Sequence, residues 1–221
     1  MGDGAGVADA AKSVGTQALL MSLRFTDKLE AIQQANQSDI LLLIAPRLAN
    51  LPLPMQRYDD PFLPYGRVII EATRDLVCGY VFDLAAYLAL GAAGAIALER
   101  TIPFARPDLI TVLHGPFSGP DYSAAAFEEA FNCDAVTLVD DVNLEAYLTK
   151  PERGAFVVQR GMPRIDHLHG VYWTDVRLFT YPQGEDSVIR LRLADEKVLY
   201  AGHGENFTDA VRAALERMRH E

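Results

Sequence analysis

The sequence predicts an α/β fold built from βαβ units around a parallel sheet. Two observations carry this. Short apolar runs such as Ile40 to Ile44 and Ala135 to Val139 alternate with segments of helical patterning, the signature of parallel strands joined by crossover helices. Ile40 to Ile44 is also apolar at every position rather than at every second one, as suits a strand covered on both faces.

The elements follow in order. Residues 1–22 are rich in Gly and Ala and show no period, so they are read as a flexible N-terminal extension, with one domain over 23–221. Phe25, Leu29 and Ile32 fall at i, i+4 and i+7 of an amphipathic helix. Ile40 to Ile44 is a strand ending at Ala45-Pro46, followed by a connector with Pro52, Pro54, Pro61 and Pro64. A helix is expected over Tyr65 to Asp75, a strand over Leu76 to Phe82 and a helix over Leu84 to Glu99. Leu109 to Leu113 is a strand, and Asp121 is placed to cap a helix carrying Tyr122, Phe127 and Phe131. Ala135 to Val139 is a strand, Leu144 to Leu148 a helix and Ala155 to Val158 a strand.

After Arg160 the alternation stops. Val176 to Tyr181 and Ser187 to Leu193 flank a loop with Pro182, Gly184, Glu185 and Asp186, which reads as a β-hairpin. A strand over Val198 to Ala201 and a helix starting near Asn206, with Phe207, Val211, Leu215 and Met218 as its stripe, close the chain.

Composition bounds the function. A formal charge of −10 over 221 residues argues against neutralising the phosphates of a nucleic acid and against docking on an anionic membrane leaflet. The most apolar window, Leu76 to Leu98, contains Asp83 and the small residues Gly91 to Ala95, so it reads as a buried strand and a packed helix, not a membrane span. Cys78 and Cys133 each sit in an apolar stretch, the usage of a reducing compartment. A soluble, cytoplasmic, acidic domain is expected.

Several segments carry a resemblance: FTDKLEAIQQANQSDILLLIAPRLANLP, FLPYGRVIIEATRDLVCGYVFDLAAYLALGAAGAIALERTI, AAAFEEAFNCDAVTLV with GAFVVQR, and KVLYAGHGENFTDAVRAALERM. In that order they resemble the long-chain bacterial orotidine 5′-monophosphate decarboxylases. The resemblance implies a TIM-barrel-like (β/α) fold and a dimer formed across the active face. Only about 35 residues separate Arg160 from Glu196, room for about one βα unit. The barrel is therefore expected to be incomplete or remodelled in its C-terminal third, with the hairpin covering the gap.

The residues that the resemblance would make catalytic are missing. The ribose-contacting aspartate after the first strand falls on Ala45, and a strand lysine falls on Val81. The Asp-x-Lys-x-x-Asp signature falls on Leu113, Gly115 and Ser118, and the phosphate-gripping arginine on Glu196. Cofactor-free decarboxylation needs an ammonium to protonate a developing carbanion. The expectation is a catalytically inactive relative with a binding, scaffolding or regulatory role, homodimeric and needing no cofactor. A nucleotide binder without turnover is a further alternative, which Glu196 disfavours.

One reading from another class is a metal-dependent enzyme. His167 and His169 form a His-x-His pair, and with His114, His203 and Asp166 they would supply a divalent-metal site if they converged. The simpler account is unrelated surface and turn histidines. Asp140-Asp141 at a strand end and the Gly202-His203-Gly204 turn are weaker candidates. Trp173, Tyr172, Phe179 and Tyr181 offer aromatic surface for a protein partner or, more ordinarily, for the core.

Overall fold

The computed structural model describes residues 23–117, 119–139, 143–158, 176–180, 184–186 and 191–221. Helix α1 (Phe25–Asn36) leads into β1 (Ile40–Ile44), and a connector with one 3₁₀ turn into α2 (Phe62–Thr73). Then come β2 (Gly79–Asp83), α3 (Leu84–Leu88), α4 (Ala92–Thr101) and β3 (Ile110–Phe117). Helix α5 (Tyr122–Ala124) runs into a π-turn (Ala125–Glu129) before β4 (Ala135–Val139), α6 (Leu144–Tyr147) and β5 (Gly154–Val158). The C-terminal third holds β6 (Val176–Thr180), β7 (Gly184–Asp186), β8 (Arg192–Ala194), α7 (Glu196–Leu199) and α8 (Phe207–His220).

The sheet runs β7-β6-β5-β4-β3-β2-β1-β8. From β8 through β5 every pairing is parallel, and β6 and β7 add antiparallel. Among the described residues β7 and β8 do not pair, so the sheet is a half-barrel with a hairpin on one edge, as the remodelled C-terminal third implied. Every residue of β1 is buried, the expected state of a strand covered on both faces.

Side-chain direction separates the two faces. The Tyr80 hydroxyl bonds Thr73 Oγ1 at 2.9 Å and donates to the Ile70 carbonyl at 3.2 Å, so Tyr80 and Phe82 face α2. Alternation then turns Gly79, Val81 and Asp83 inward. The registers Leu43↔Val81, Val81↔Val112, Val112↔Ala135 and Leu41↔Leu193 carry the inner row across the sheet.

Several boundaries depart from expectation. The Val198 to Ala201 stretch is not a strand. Asp195 accepts the Lys197 amide at 2.9 Å and starts α7 there, and the last parallel strand is β8. Arg192 and Leu193, expected in the hairpin, pair instead with Ile40 and Leu41, and Arg192 binds Asp39 at 2.6 Å. The hairpin's second strand is Gly184–Asp186, within the stretch expected to be its loop. The helix expected over Leu84 to Glu99 breaks at Gly91, whose φ of 60° suits glycine. Neither Asp121 nor Asn206 caps with its side chain, whereas Asp83 does, accepting the Ala86 amide at 3.0 Å. Phe131 lies beyond the π-turn.

Candidate functional site

In folds of this kind the C-terminal ends of the parallel strands form the functional face. Here those ends bring together Ala45 after β1, Asp83 of β2, His114 of β3, Thr137 of β4 and Asp195 after β8. Below them the inner row is apolar, with Leu43, Val81, Val112 and Leu193 all buried.

Two groups of contacts organise this mouth. In the first, Arg47 holds Glu196. Its Nε lies 2.9 Å and its Nη2 2.7 Å from Glu196 Oε1, with side-chain exposures of 51 and 35%. The Glu196 hydrogen bond raises the Arg47 guanidinium above its ordinary value against the opposing effect of burial, with the nearby Asp83 charge adding to the rise. Tyr200 locks the same corner, accepting the Arg47 amide at 2.8 Å and donating to the Ala45 carbonyl at 2.8 Å. Burial pushes the Tyr200 hydroxyl up to about 12, with the Arg47 amide pulling the other way. The Tyr200 ring stacks on Tyr65 at 6.2 Å between centroids.

In the second, His114 Nδ1 lies 2.9 Å from Thr137 Oγ1, which also accepts the Gly115 amide at 3.1 Å. Thr137 is fully buried, and His114 and Asp83 are half-buried partners across β2 and β3.

The expected site residues distribute as follows. Ala45 and Val81 lie in the inner row. Leu113 pairs with Phe82 and shares its helix-facing side, so His114 rather than Leu113 points inward. Gly115 is half-buried, and a Cβ there would sit 2.5 Å from the Phe117 ring. Ser118, Asp140, Asp141, Asp166, His167, His169, Tyr172, Trp173 and Tyr181 lie outside the described residues.

His114 stands on β3, whereas His203 is exposed in the turn after α7, its carbonyl accepting the Leu53 amide at 2.9 Å. Among the described residues no three His, Cys, Asp or Glu side chains gather as a metal site would require. Both cysteines are free and buried, and burial raises both thiols. No helix among the described residues is long and apolar enough to cross a membrane.

Arg47, Tyr200 and Thr137 were not singled out from the sequence. An arginine three residues past a strand end was a usable signal for Arg47. Its partner, 149 residues away, becomes visible only in the fold.

No protein-family model matches the chain. It is 34% identical over 144 residues to the orotidine 5′-phosphate decarboxylase of Herpetosiphon aurantiacus, covering 62% of this chain and 54% of that protein. It is 26% identical over 194 residues to the Roseiflexus sp. enzyme of the same name, covering 85% of this chain and 64% of that one. The chain thus spans about half the length of most of the curated relatives it matches. In structure it resembles a Streptomyces avermitilis protein provisionally described as an orotidine 5′-phosphate decarboxylase. The TM-score is 0.64 at 16% identity, over 90% of this chain and 94% of that one, a likeness of fold.

Proposed function

We propose that this relative of the orotidine 5′-phosphate decarboxylases does not decarboxylate orotidylate and instead serves as a binding, scaffolding or regulatory protein, as a homodimer. The observation that carries the reading is the apolar inner row on which the rim residues Asp83 and His114 stand. Ala45, Val81 and Val112 are buried, and none of them can donate a proton or hold a charge. Loss of carbon dioxide leaves an electron pair on carbon, and a catalyst must stabilise that charge in the transition state and deliver a proton. The lysines among the described residues are Lys28 on α1, Lys150 before β5 and Lys197 on α7, none of them in the inner row.

The second element is Glu196, which stands where the resemblance expects a phosphate-binding arginine. Its carboxylate repels a phosphate. The nearby guanidinium of Arg47 is already bound to it.

The test is a decarboxylation assay on the full chain with orotidine 5′-phosphate, paired with light scattering of the eluting protein. Substrate loss at the uncatalysed rate and a mass of two chains are expected. Turnover above background overturns the non-catalytic reading, and a single-chain mass overturns the dimer.

A further inference from the structure

The connector between β1 and α2 does more than join them. Leu51 and Met55 are buried from it, while Leu48, Leu53 and Tyr58 stay in water at 53, 66 and 43% exposure. Single exposed apolar side chains are ordinary, but a concentration of them marks a surface that meets something. The backbone beneath is fixed. The Leu53 amide donates to the His203 carbonyl at 2.9 Å, the Met55 amide to Pro52 at 2.9 Å and the Tyr58 amide to Met55 at 3.2 Å. Pro52, Pro54 and Pro61 remove further freedom.

This rigid connector shapes a cleft of about 340 Å³, at the small end of the range of about 300–1,000 Å³ that small-molecule sites occupy. Buried Leu51 and Pro61 and exposed Leu48 and Ala49 give it apolar walls. Its polar atoms are acceptors. Gln56 Nε2 donates to the Leu51 carbonyl at 2.8 Å, and a carbonyl only accepts, so Oε1 is the amide atom left over. Asp59 adds a carboxylate, and among the described residues no group donates to it or pairs with it. The neighbouring cation, Arg57, has its guanidinium over the Tyr58 ring, 5.4 Å from the centroid. Exposed Asp60 adds a second negative charge beside the cleft.

Charge and surface together select the ligand. A phosphate or carboxylate would be repelled by Asp59 and Asp60. A divalent metal ion needs several oxygen ligands, and among the described residues no three His, Cys, Asp or Glu side chains gather. Acceptors set on apolar walls suit an N–H donor that carries a positive charge on an apolar body.

We propose that this cleft binds a small organic cation, a primary amine or guanidine with an apolar body, through the Asp59 carboxylate and the Gln56 amide oxygen. The cleft lies on the connector, outside the inner row, so the assignment is independent of whether the chain decarboxylates.

The experiment follows the full chain by NMR as it is titrated with phenethylamine, its neutral analogue phenethyl alcohol and the anion phenylacetate, in the native protein and in D59N, D60N and A49L. The native chain binds the amine most tightly and the anion least. D59N keeps the shape of the side chain but weakens the amine roughly 3- to 10-fold, to the level of the alcohol. D60N removes the same charge outside the lining and has a smaller effect. A49L fills the cleft and weakens amine and alcohol alike. All three positions are exposed, and unchanged binding of the alcohol by D59N shows that the cleft has kept its shape.

Amine binding no tighter than alcohol binding, or equal losses in D59N and D60N, overturns the role of Asp59. Absence of saturable amine binding, or binding that A49L leaves untouched, overturns the site.

Discussion

The two ends of the half-barrel treat charge in opposite ways. At the N-terminal end of the strands, Asp134 lies just before β4 with four donors around it. Lys28 Nζ reaches Oδ1 at 2.8 Å, the Thr111 amide and hydroxyl reach Oδ2 at 2.9 and 2.8 Å, and Arg106 lies 3.7 Å from Oδ1. Lys28 and Asp134 are both buried. Above them Phe25 of α1 plugs the base, packing edge-on against Phe156 at 6.1 Å. A Cβ on Gly154 would sit 2.8 Å from its ring.

At the C-terminal end the inner row is apolar up to the rim, and the ion pair found there, Arg47 with Glu196, is half in water. In this fold the lower end serves stability and the upper end serves function. The base is organised around a buried, hydrogen-bonded carboxylate, whereas the mouth carries polar groups on an apolar inner row.

The sharpest way to break this contrast is D134A. Removing the carboxylate strands the Lys28 ammonium in the core, which costs about 3–5 kcal/mol, read as a lowered denaturant midpoint in a urea titration. A loss below about 1 kcal/mol would mean that the base is not the structural anchor.

Next in size is Y200F at the mouth. It removes a donor to Ala45 and an acceptor for Arg47, costing about 1–2 kcal/mol in the same titration. It also changes alkaline behaviour. The folded-state hydroxyl titrates near 12, above its free value of about 10, so folding favours the neutral form. That stabilisation is complete below about pH 10 and is lost as pH rises toward 12. Y200F should flatten part of the stability decline across that window. Tyr147, also pushed up to about 12 by burial, supplies some of the remainder.

The smallest expected change is E196Q. Both partners are more than a third exposed, so the change in stability stays under about 1 kcal/mol. Its use is to sharpen the functional half of the contrast. Removing the charge frees Arg47, and UMP binding should strengthen relative to the native chain in a calorimetric titration.

Much of the strand order was legible from the chain because buried parallel strands are written as continuous apolar runs. Ile40 to Ile44 and Ala135 to Val139 match their observed bounds residue for residue. Capping was less legible, since Asp121 makes no side-chain cap while Asp83 accepts the Ala86 amide. Mistakes gathered where a helix cap or a distant strand overrode the apparent pattern. Val198 to Ala201 has strand composition, yet the Asp195 cap starts a helix at Glu196 that takes in Val198 and Leu199. Arg192 and Leu193 look like hairpin residues, but they pair with β1, some 150 positions away.

By itself the sequence determined the fold class, a matter of apolar runs and local period, and several of its segments carried the likeness to a decarboxylase family. Only the tertiary structure decided which of Leu113 and His114 faces inward. A strand's alternation fixes its two faces relative to each other, and a neighbour such as Tyr80 against α2 must say which is which. It also decided that Glu196 is held by Arg47 and that Thr137 orients His114. Those pairs lie 149 and 23 residues apart, and the folded sheet places each within hydrogen-bonding distance.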